Sequence, residues 1–177
     1  GYYYDFREGL YVKAGIDESL PMVGIDLSHP FMKCISNHVT ALRQGDFNKN
    51  EINMNNIDGV TVANYHSKYN LNSLILIYFL LFLKPKTDAE KALLLLPDSA
   101  FQAAYAPDHY KDKHIQRKYL CEVLDLPELW EFEQDKDINY FKNLQDVLNV
   151  KSKLWVTDNG IETIDDCDIG LICKYLN

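Results

Sequence analysis

Ten consecutive apolar residues, Leu74 to Leu83, lie near the middle of this chain of 177 residues. A helix that spans a bilayer needs about 20 apolar residues, so this run is too short to cross a membrane. A helix that is apolar on every side is instead typical of the centre of a protein core. A chain of this length can bury roughly 70% of the surface that its unfolded form exposes. We therefore predict one domain, residues 1–177, built around this helix.

Helix signals continue after the apolar run. Thr87 and Glu90 have the spacing of a capping box, which predicts the start of a helix. Pro97 is expected to end or kink that helix because proline cannot donate the backbone hydrogen bond. Further along, apolar residues from Ile138 to Leu148 recur at helical spacing. The sequence thus predicts a helical middle over about residues 70–150.

Strand signals lie near both ends of the chain. The segments 2–6 and 10–13 are rich in aromatic and β-branched residues and flank a turn at Gly9. Apolar residues on either side of Asn159-Gly160 indicate a second hairpin, because Asn-Gly is a strong hairpin turn. We therefore predict an α+β fold in which β-hairpins near both termini join in one antiparallel sheet.

Two further elements are predicted between the first hairpin and the apolar run. Val23, Ile25 and Leu27 alternate with polar or small residues, which predicts a half-buried strand with these three residues facing inwards. Apolar residues then recur at helical spacing between Phe31 and Leu42. That pattern predicts a helix.

The cysteines and the first residues bear on the compartment. Cys34, Cys121, Cys167 and Cys173 have the spacing of neither a disulfide framework nor a zinc site, so we expect reduced thiols. The segment 2–5 offers neither a basic start nor an apolar stretch, and a secretory signal is therefore not expected. Both observations predict a cytoplasmic protein.

Motifs for catalysis and for cofactors are absent from the sequence. No phosphate-binding glycine loop, nucleophile elbow or zinc-protease motif occurs. The spacing of His109 and His114 would point them apart on a helix, and the segment 165–170 has a cysteine where a calcium loop needs oxygen. We expect no metal, no cofactor and no catalytic residue. One alternative stays open, a Cys34 thiolate activated by His38 one helical turn away.

Negative charge is concentrated in two segments. The chain has a net charge of −8 and a pI near 5.0. Residues 122–137 carry a net charge of −6 and residues 158–168 a net charge of −5, so the rest of the chain is slightly basic. An acidic surface repels nucleic acid and anionic lipid and attracts basic proteins. A basic protein is therefore the expected partner.

Clustered carboxylates repel one another, and a cationic partner would relieve that repulsion. Aromatic residues lie among these acids, and aromatic residues beside charges are common in binding hot spots. The alternative is that the acids only keep the protein in solution. The predicted partner-binding residues are Glu128, Trp130, Glu131, Glu133, Asp135, Asp137, Asp158, Glu162, Asp165, Asp166 and Asp168.

The tyrosine-rich opening, residues 2–12, and the acidic and aromatic stretch from Glu122 to Asp137 resemble immunity proteins of bacterial contact-dependent growth inhibition systems. The resemblance implies one-to-one binding of a basic toxin domain, a nuclease, whose active site the acidic surface covers. It implies no direct contact with nucleic acid or membrane, and these proteins share no motif from which residue roles could be carried over. An enzyme with an irregular Cys34 and His38 site, and a structural or adaptor protein, are the alternative functions.

Overall fold

The computed structural model describes residues 2–5, 9–12, 19, 21–105, 111–150, 154–157, 160–163 and 169–176, with the backbone alone in the elements within 2–12 and 154–163 and at 111–115 and 169. The strands are β1 (Tyr2–Asp5), β2 (Gly9–Val12), β3 (Val23–Ile25), β4 (Lys33–Ile35), β5 (Glu51–Ile52), β6 (Leu154–Thr157) and β7 (Gly160–Thr163). The α-helices are α1 (Met54–Ile57), α2 (Ser73–Leu80), α3 (Asp88–Leu95), α4 (Lys111–Val123), α5 (Pro127–Asp135), α6 (Ile138–Leu148) and α7 (Ile169–Leu176). Two 3₁₀ segments, Val62–Ser67 and Pro97–Tyr105, complete the list.

The three-stranded sheet is parallel and has the order β3-β4-β5. Gly24 pairs with Cys34, and a Cβ atom at Gly24 would lie 2.9 Å from the Cys34 Sγ. Glycine is therefore the residue that lets these two strands pack. The strand predicted at Val23 and Ile25 is present, but both side chains are exposed while Gly24 is buried, so the predicted inward face is wrong there.

The predicted sheet that joins both ends of the chain is also wrong. β1 pairs with β2 and β6 pairs with β7, each as a separate two-stranded antiparallel sheet. The three-stranded sheet is parallel and comes from residues 23–52, and the described part of the chain ends in the helix α7. An alternating pattern marks a strand but does not specify its neighbour or its direction. The mixture of helices and strands agrees with the predicted α+β class.

The core lies among the helices from α2 to α6. Its centre is the pair Phe101 and Phe141, whose rings stack with centroids 5.0 Å apart. Local signals place these helices: the Thr87 side chain accepts from the Glu90 N–H, so the predicted capping box starts α3. Asp137 caps α6 in the same way, and one face of α6 packs into the core as its apolar spacing predicts.

No helix covers the segment 31–45, and the predicted helix there is wrong. The segment contains β4 followed by an irregular loop. Phe31 and Leu42, two of the apolar residues in the predicted pattern, are 91% and 68% exposed. Ser36 and Asn37 side chains bond to groups elsewhere in the fold, and such residues favour turns over helix interiors because they compete for the backbone.

Helix α2 is a core helix only at its start. Ile75 and Leu76 are buried, but the apolar run leaves the core at its other end, where Leu81 and Phe82 are 61% and 90% exposed. The prediction of a helix buried on every side is therefore correct for its first half alone. Within the described ranges, the helices are all too short or too polar to cross a bilayer.

Buried amide side chains tie the end of the parallel sheet to the chain before α2. Asn37 Nδ2 donates to the carbonyl oxygens of Tyr69 and Leu71. Asn55 Nδ2 donates to Asn37 Oδ1 at 2.9 Å, and Asn55 Oδ1 accepts from the Tyr69 N–H at 2.8 Å. Asn72 extends the pattern: its Nδ2 donates to the Leu94 carbonyl and its Oδ1 caps α2. These contacts hold residues 68–72 in a buried, irregular path.

Candidate partner-binding surface

Helix α5 carries most of the acids in the first acidic segment, and helical geometry sorts them. Glu128 and Asp135 are seven residues apart, which is close to two turns, and Glu131 lies between them on the same side. Glu131 and Asp135 are exposed, and Glu128 is half-buried. These three predicted contact residues therefore form one stripe along the outer side of α5.

Glu133 points the opposite way, and its prediction as a contact residue is wrong. Its side chain has no solvent exposure, and neither has that of Arg117. Arg117 Nε donates to Glu133 Oε2 at 3.0 Å, and Arg117 Nη2 donates to Glu133 Oε1 at 3.2 Å. Glu133 follows the buried Leu129 by one helical turn, so the helix directs both side chains into the core.

The aromatic residues among the acids belong largely to the core. Phe132 is buried, and Trp130 is half-buried with its ring packed against the core. The Lys136 ammonium group lies 5.2 Å from the centroid of the Phe132 ring and covers part of it. Trp130 can therefore offer only part of its ring to a partner, which is less than the sequence suggested.

Nearby cations compensate two of the exposed acids. Lys84 Nζ lies 2.6 Å from Asp125 Oδ2, and Lys136 Nζ lies 2.9 Å from Asp135 Oδ2. The hydrogen bond from Lys136 lowers the pKa of Asp135. Asp137 is exposed, but its carboxylate also caps α6. These residues add to the acidity of the surface less than a count of charges suggests.

Four acids of residues 122–137 have no ion pair with any described residue. One is Asp137, which caps α6, and the other three are Glu122, Glu128 and Glu131. We call these three residues the acidic face. They lie on either side of the short turn between α4 and α5, and Glu122 and Glu131 are exposed. Beside Glu122 on α4, Tyr119 and Val123 are 51% and 44% exposed. The acidic face is thus bordered by apolar surface.

The acids of the second acidic segment, residues 158–168, cannot be assigned to a surface of the fold. The side chains of its predicted contact residues lie outside the described residues, and only the backbone of Glu162 is given, in β7. Whether the two acidic segments share one surface stays a prediction. The predicted contact residues of this second segment are Asp158, Glu162, Asp165, Asp166 and Asp168.

The proposed Cys34 and His38 pair does not form. Cys34 is 1% exposed, and its Sγ lies 3.4 Å from the Met32 carbonyl oxygen. Burial raises the pKa of the Cys34 thiol, which disfavours the nucleophilic thiolate. The two residues do not lie on one helical turn, because Cys34 is in β4 and His38 in the loop that follows. His38 instead contacts Asp26.

A polar group that the sequence did not predict lies at the carboxyl ends of the parallel strands. His38 Nε2 lies 3.3 Å from Asp26 Oδ1, and Ser73 Oγ donates to the same oxygen at 2.8 Å. The hydrogen bond between the pair raises the pKa of His38 and lowers that of Asp26. Both partners bond the aspartate, so these contacts do not form a serine–histidine relay. The sequence signal that could have located this group is position, since Asp26 directly follows β3 and His38 lies in the loop three residues past β4.

The described residues include no cluster of three or more histidine, cysteine, aspartate or glutamate side chains able to hold a metal ion. No family model, curated protein or solved structure matches this chain. The arrangement itself is therefore the basis for a functional proposal. It offers a mixed acidic and apolar surface at the turn between α4 and α5.

Proposed function

We propose that this protein is an immunity protein, which binds a basic toxin domain one-to-one in the cytoplasm and neutralises it. The single observation that carries the proposal is the acidic face, three carboxylates on the adjoining helices α4 and α5 that form no ion pair with a described residue. Glu133 is the one buried acid of α5, and it forms an ion pair with the buried Arg117. The three residues of the acidic face thus differ from the buried Glu133, because they form no ion pair with a described residue.

The mechanism that fits this surface is occlusion. Carboxylates held on neighbouring helices present negative charge in a fixed arrangement, as the phosphates of a nucleic acid do. A nuclease binds phosphates with lysine and arginine, and the same side chains would pair with Glu128 and Glu131. The apolar Tyr119 and Val123 beside them would supply contact area that charge alone does not give.

The experiment begins by searching the reading frames adjacent to this one for a protein with a basic C-terminal domain. That domain, produced with its active site inactivated, is the probe of a titration. Isothermal titration calorimetry should give one-to-one binding that weakens as salt concentration rises. Glu131→Lys should weaken binding about tenfold or more, which corresponds to ~1.4 kcal/mol. Its thermal stability should stay unchanged because Glu131 is exposed and has no ion pair with a described residue.

Asp46→Lys is the matched control. Asp46 is exposed in a loop far along the chain from the acidic face, and the substitution changes the net charge by the same amount. Equal losses of affinity for the two variants would mean that net charge, and not the acidic face, drives binding. No binding of the basic domain by the wild-type protein would reject the proposed function.

A further inference from the structure

The end of helix α2 has a backbone conformation that its sequence disfavours. The Leu83 N–H donates to the Tyr78 carbonyl at 2.8 Å, and the Phe82 N–H donates to the Phe79 carbonyl at 3.0 Å. This pair of hydrogen bonds defines a Schellman motif, which needs a left-handed residue just past the helix. Phe82 occupies that position with φ of 53°. Glycine is the usual residue there because a side chain clashes with the backbone.

Two other helices end in the same conformation, with residues better suited to it. Asp125 follows α4 with φ of 54°, and Asn149 follows α6 with φ of 51°. Aspartate and asparagine tolerate left-handed backbone because their short polar side chains bond locally. Phenylalanine has no such compensation. Phe82 is therefore strained at a site where this protein elsewhere uses a tolerant residue.

The strained residue also gains nothing from burial. Phe82 is 90% exposed, and its neighbours Leu81 and Leu83 are 61% and 44% exposed. Single exposed apolar residues are common, but three in a row at a strained helix end are unfavourable for both folding and solubility. Strain that the fold does not need is found most often at functional positions. We call residues 81–83 the apolar tip.

One side chain ties the apolar tip to the turn that carries the acidic face. Lys84, the residue after the tip, donates to the Asp125 carboxylate at 2.6 Å and also to the Asp125 backbone carbonyl. Asp125 lies in the turn between Glu122 and Glu128. An apolar centre beside charged residues is the usual anatomy of a protein interface.

We propose that the apolar tip is the anchor of this interface, and that Phe82 enters an apolar pocket bordered by lysine and arginine on the basic partner. This inference rests on the proposed function and adds the residue on which affinity depends most. Charge selects the occupant. The protein has a net charge of −8, and Lys84 at the edge of the tip already pairs with Asp125, in a turn flanked by Glu122 and Glu128, so the molecule repels anionic lipid and a second copy of itself. A basic protein satisfies both the tip and its surroundings.

The test uses two substitutions at one position, with the inactivated basic domain as the probe. Phe82→Gly removes the ring and the strain, so the melting temperature should rise by about 2–4 °C while affinity falls more than tenfold. Phe82→Ala removes the ring and keeps the strain, so affinity should fall equally without the rise in melting temperature. Phe31→Ala is the control, because Phe31 is 91% exposed and precedes β4, in another part of the fold. Its affinity should match that of the wild type.

The outcomes separate the anchor from the proposed function. Unchanged affinity in Phe82→Gly, together with a loss in Glu131→Lys, would overturn the anchor and leave the proposed function standing. If the wild type does not bind the encoded domain, a photo-crosslinking benzoylphenylalanine at position 82 tests the anchor in the producing cell. A crosslink to an identified basic protein, lost in high salt, would support the anchor. A crosslink to lipid, to a second copy or to an acidic protein would overturn it, as would the absence of any crosslink.

Discussion

Arg117 and Glu133 form a bidentate pair whose two side chains have no exposure to solvent, and it joins α4 to α5 in the core. Arg117 Nη1 donates further to the Asn70 carbonyl at 3.0 Å, so the guanidinium also holds the chain that leads into α2. The helices that carry the acidic face are thereby fixed relative to each other. Neither side chain reaches the surface, so the pair can affect binding only by holding α4 and α5 in their relative positions.

Removing one member of this pair should destabilise the protein strongly. Glu133→Gln leaves Arg117 charged in the core with a neutral partner, and we expect a loss of about 3–5 kcal/mol in the free energy of unfolding. The double variant Arg117→Met with Glu133→Leu should lose less than either single variant, because apolar side chains of similar size leave no buried charge. Urea denaturation followed by circular dichroism gives the free energy of unfolding of Glu133→Gln, of Arg117→Met, of Glu133→Leu and of the double variant. A double variant as unstable as the sum of the single variants would contradict this account.

The pair of His38 and Asp26 should be visible as a shifted titration. The hydrogen bond to Asp26 raises the pKa of His38, so Asp26→Asn should lower it. Two-dimensional NMR of the imidazole protons measures this value directly, and Asp46→Asn, at an exposed loop acid, serves as the control.

The sign of the effect on stability follows from both shifts. The raised pKa of His38 stabilises the fold at low pH, and this contribution is lost as pH rises through the folded-state pKa. The lowered pKa of Asp26 stabilises the fold above the unfolded pKa and is lost as pH falls through the folded-state pKa. The pair therefore stabilises most between about pH 4 and pH 6.5. Both side chains are about half-exposed, so solvent screening keeps the effect under about 1 kcal/mol.

The cysteines should differ widely in reactivity. Cys34 and Cys121 are buried, and burial raises the pKa of Cys121 to about 11, while Cys173 is exposed. Among the three cysteines within the described ranges, iodoacetamide at neutral pH should therefore alkylate Cys173 first and the two buried thiols only after unfolding. Mass spectrometry of the digested protein reads each site separately. If Cys34 were alkylated as fast as Cys173, the prediction would be wrong and Cys34 would again be a candidate nucleophile.

The buried amide side chains should contribute strongly to the stability of the fold. Asn55→Ala removes one acceptor for the Tyr69 N–H and two donor contacts with Asn37, so we expect a loss of about 2–3 kcal/mol. Asn56→Ala is the neighbouring control, since its amide makes a single long contact of 3.4 Å with Glu51. Thermal denaturation compares the two. Similar losses would show that the Asn55 contacts are not decisive.

The elements that the sequence predicted well are those with local signals. A capping box involves four neighbouring residues, and Thr87 and Glu90 form theirs in the fold. In helix α6, the apolar residues recur at helical spacing within the helix itself, so its buried face can be predicted from local sequence. The prediction of a helix after Phe31 failed because the apolar pattern takes no account of the Ser36 and Asn37 side chains, whose partners Glu51 and Tyr69 lie far along the chain.

The candidate surface was only partly predictable for a related reason. Counting charges located the acids but not the direction in which each one points. The burial of Glu133 had a local signal, because it follows Leu129 by one turn, yet its partner Arg117 is on another helix. The apolar tip had no charge signal. In the sequence, Phe82 looks like the buried Ile75 and Leu76 of the same apolar run, and only the backbone shows where the helix ends.

Burial also protects the side-chain amides of Asn37, Asn55 and Asn72 from chemical change. Hydrolysis of Asn37, Asn55 or Asn72 to an acid would replace a donating N–H₂ group by an oxygen that faces a backbone carbonyl or another side-chain oxygen. While the chain is folded, burial keeps water and backbone motion away from these groups. Unfolding exposes these amides to deamidation. After refolding, the new carboxylate oxygen would repel the oxygen to which the amide N–H₂ group had donated a hydrogen bond. At these three positions, the extent of deamidation should therefore follow the time that the protein spends unfolded.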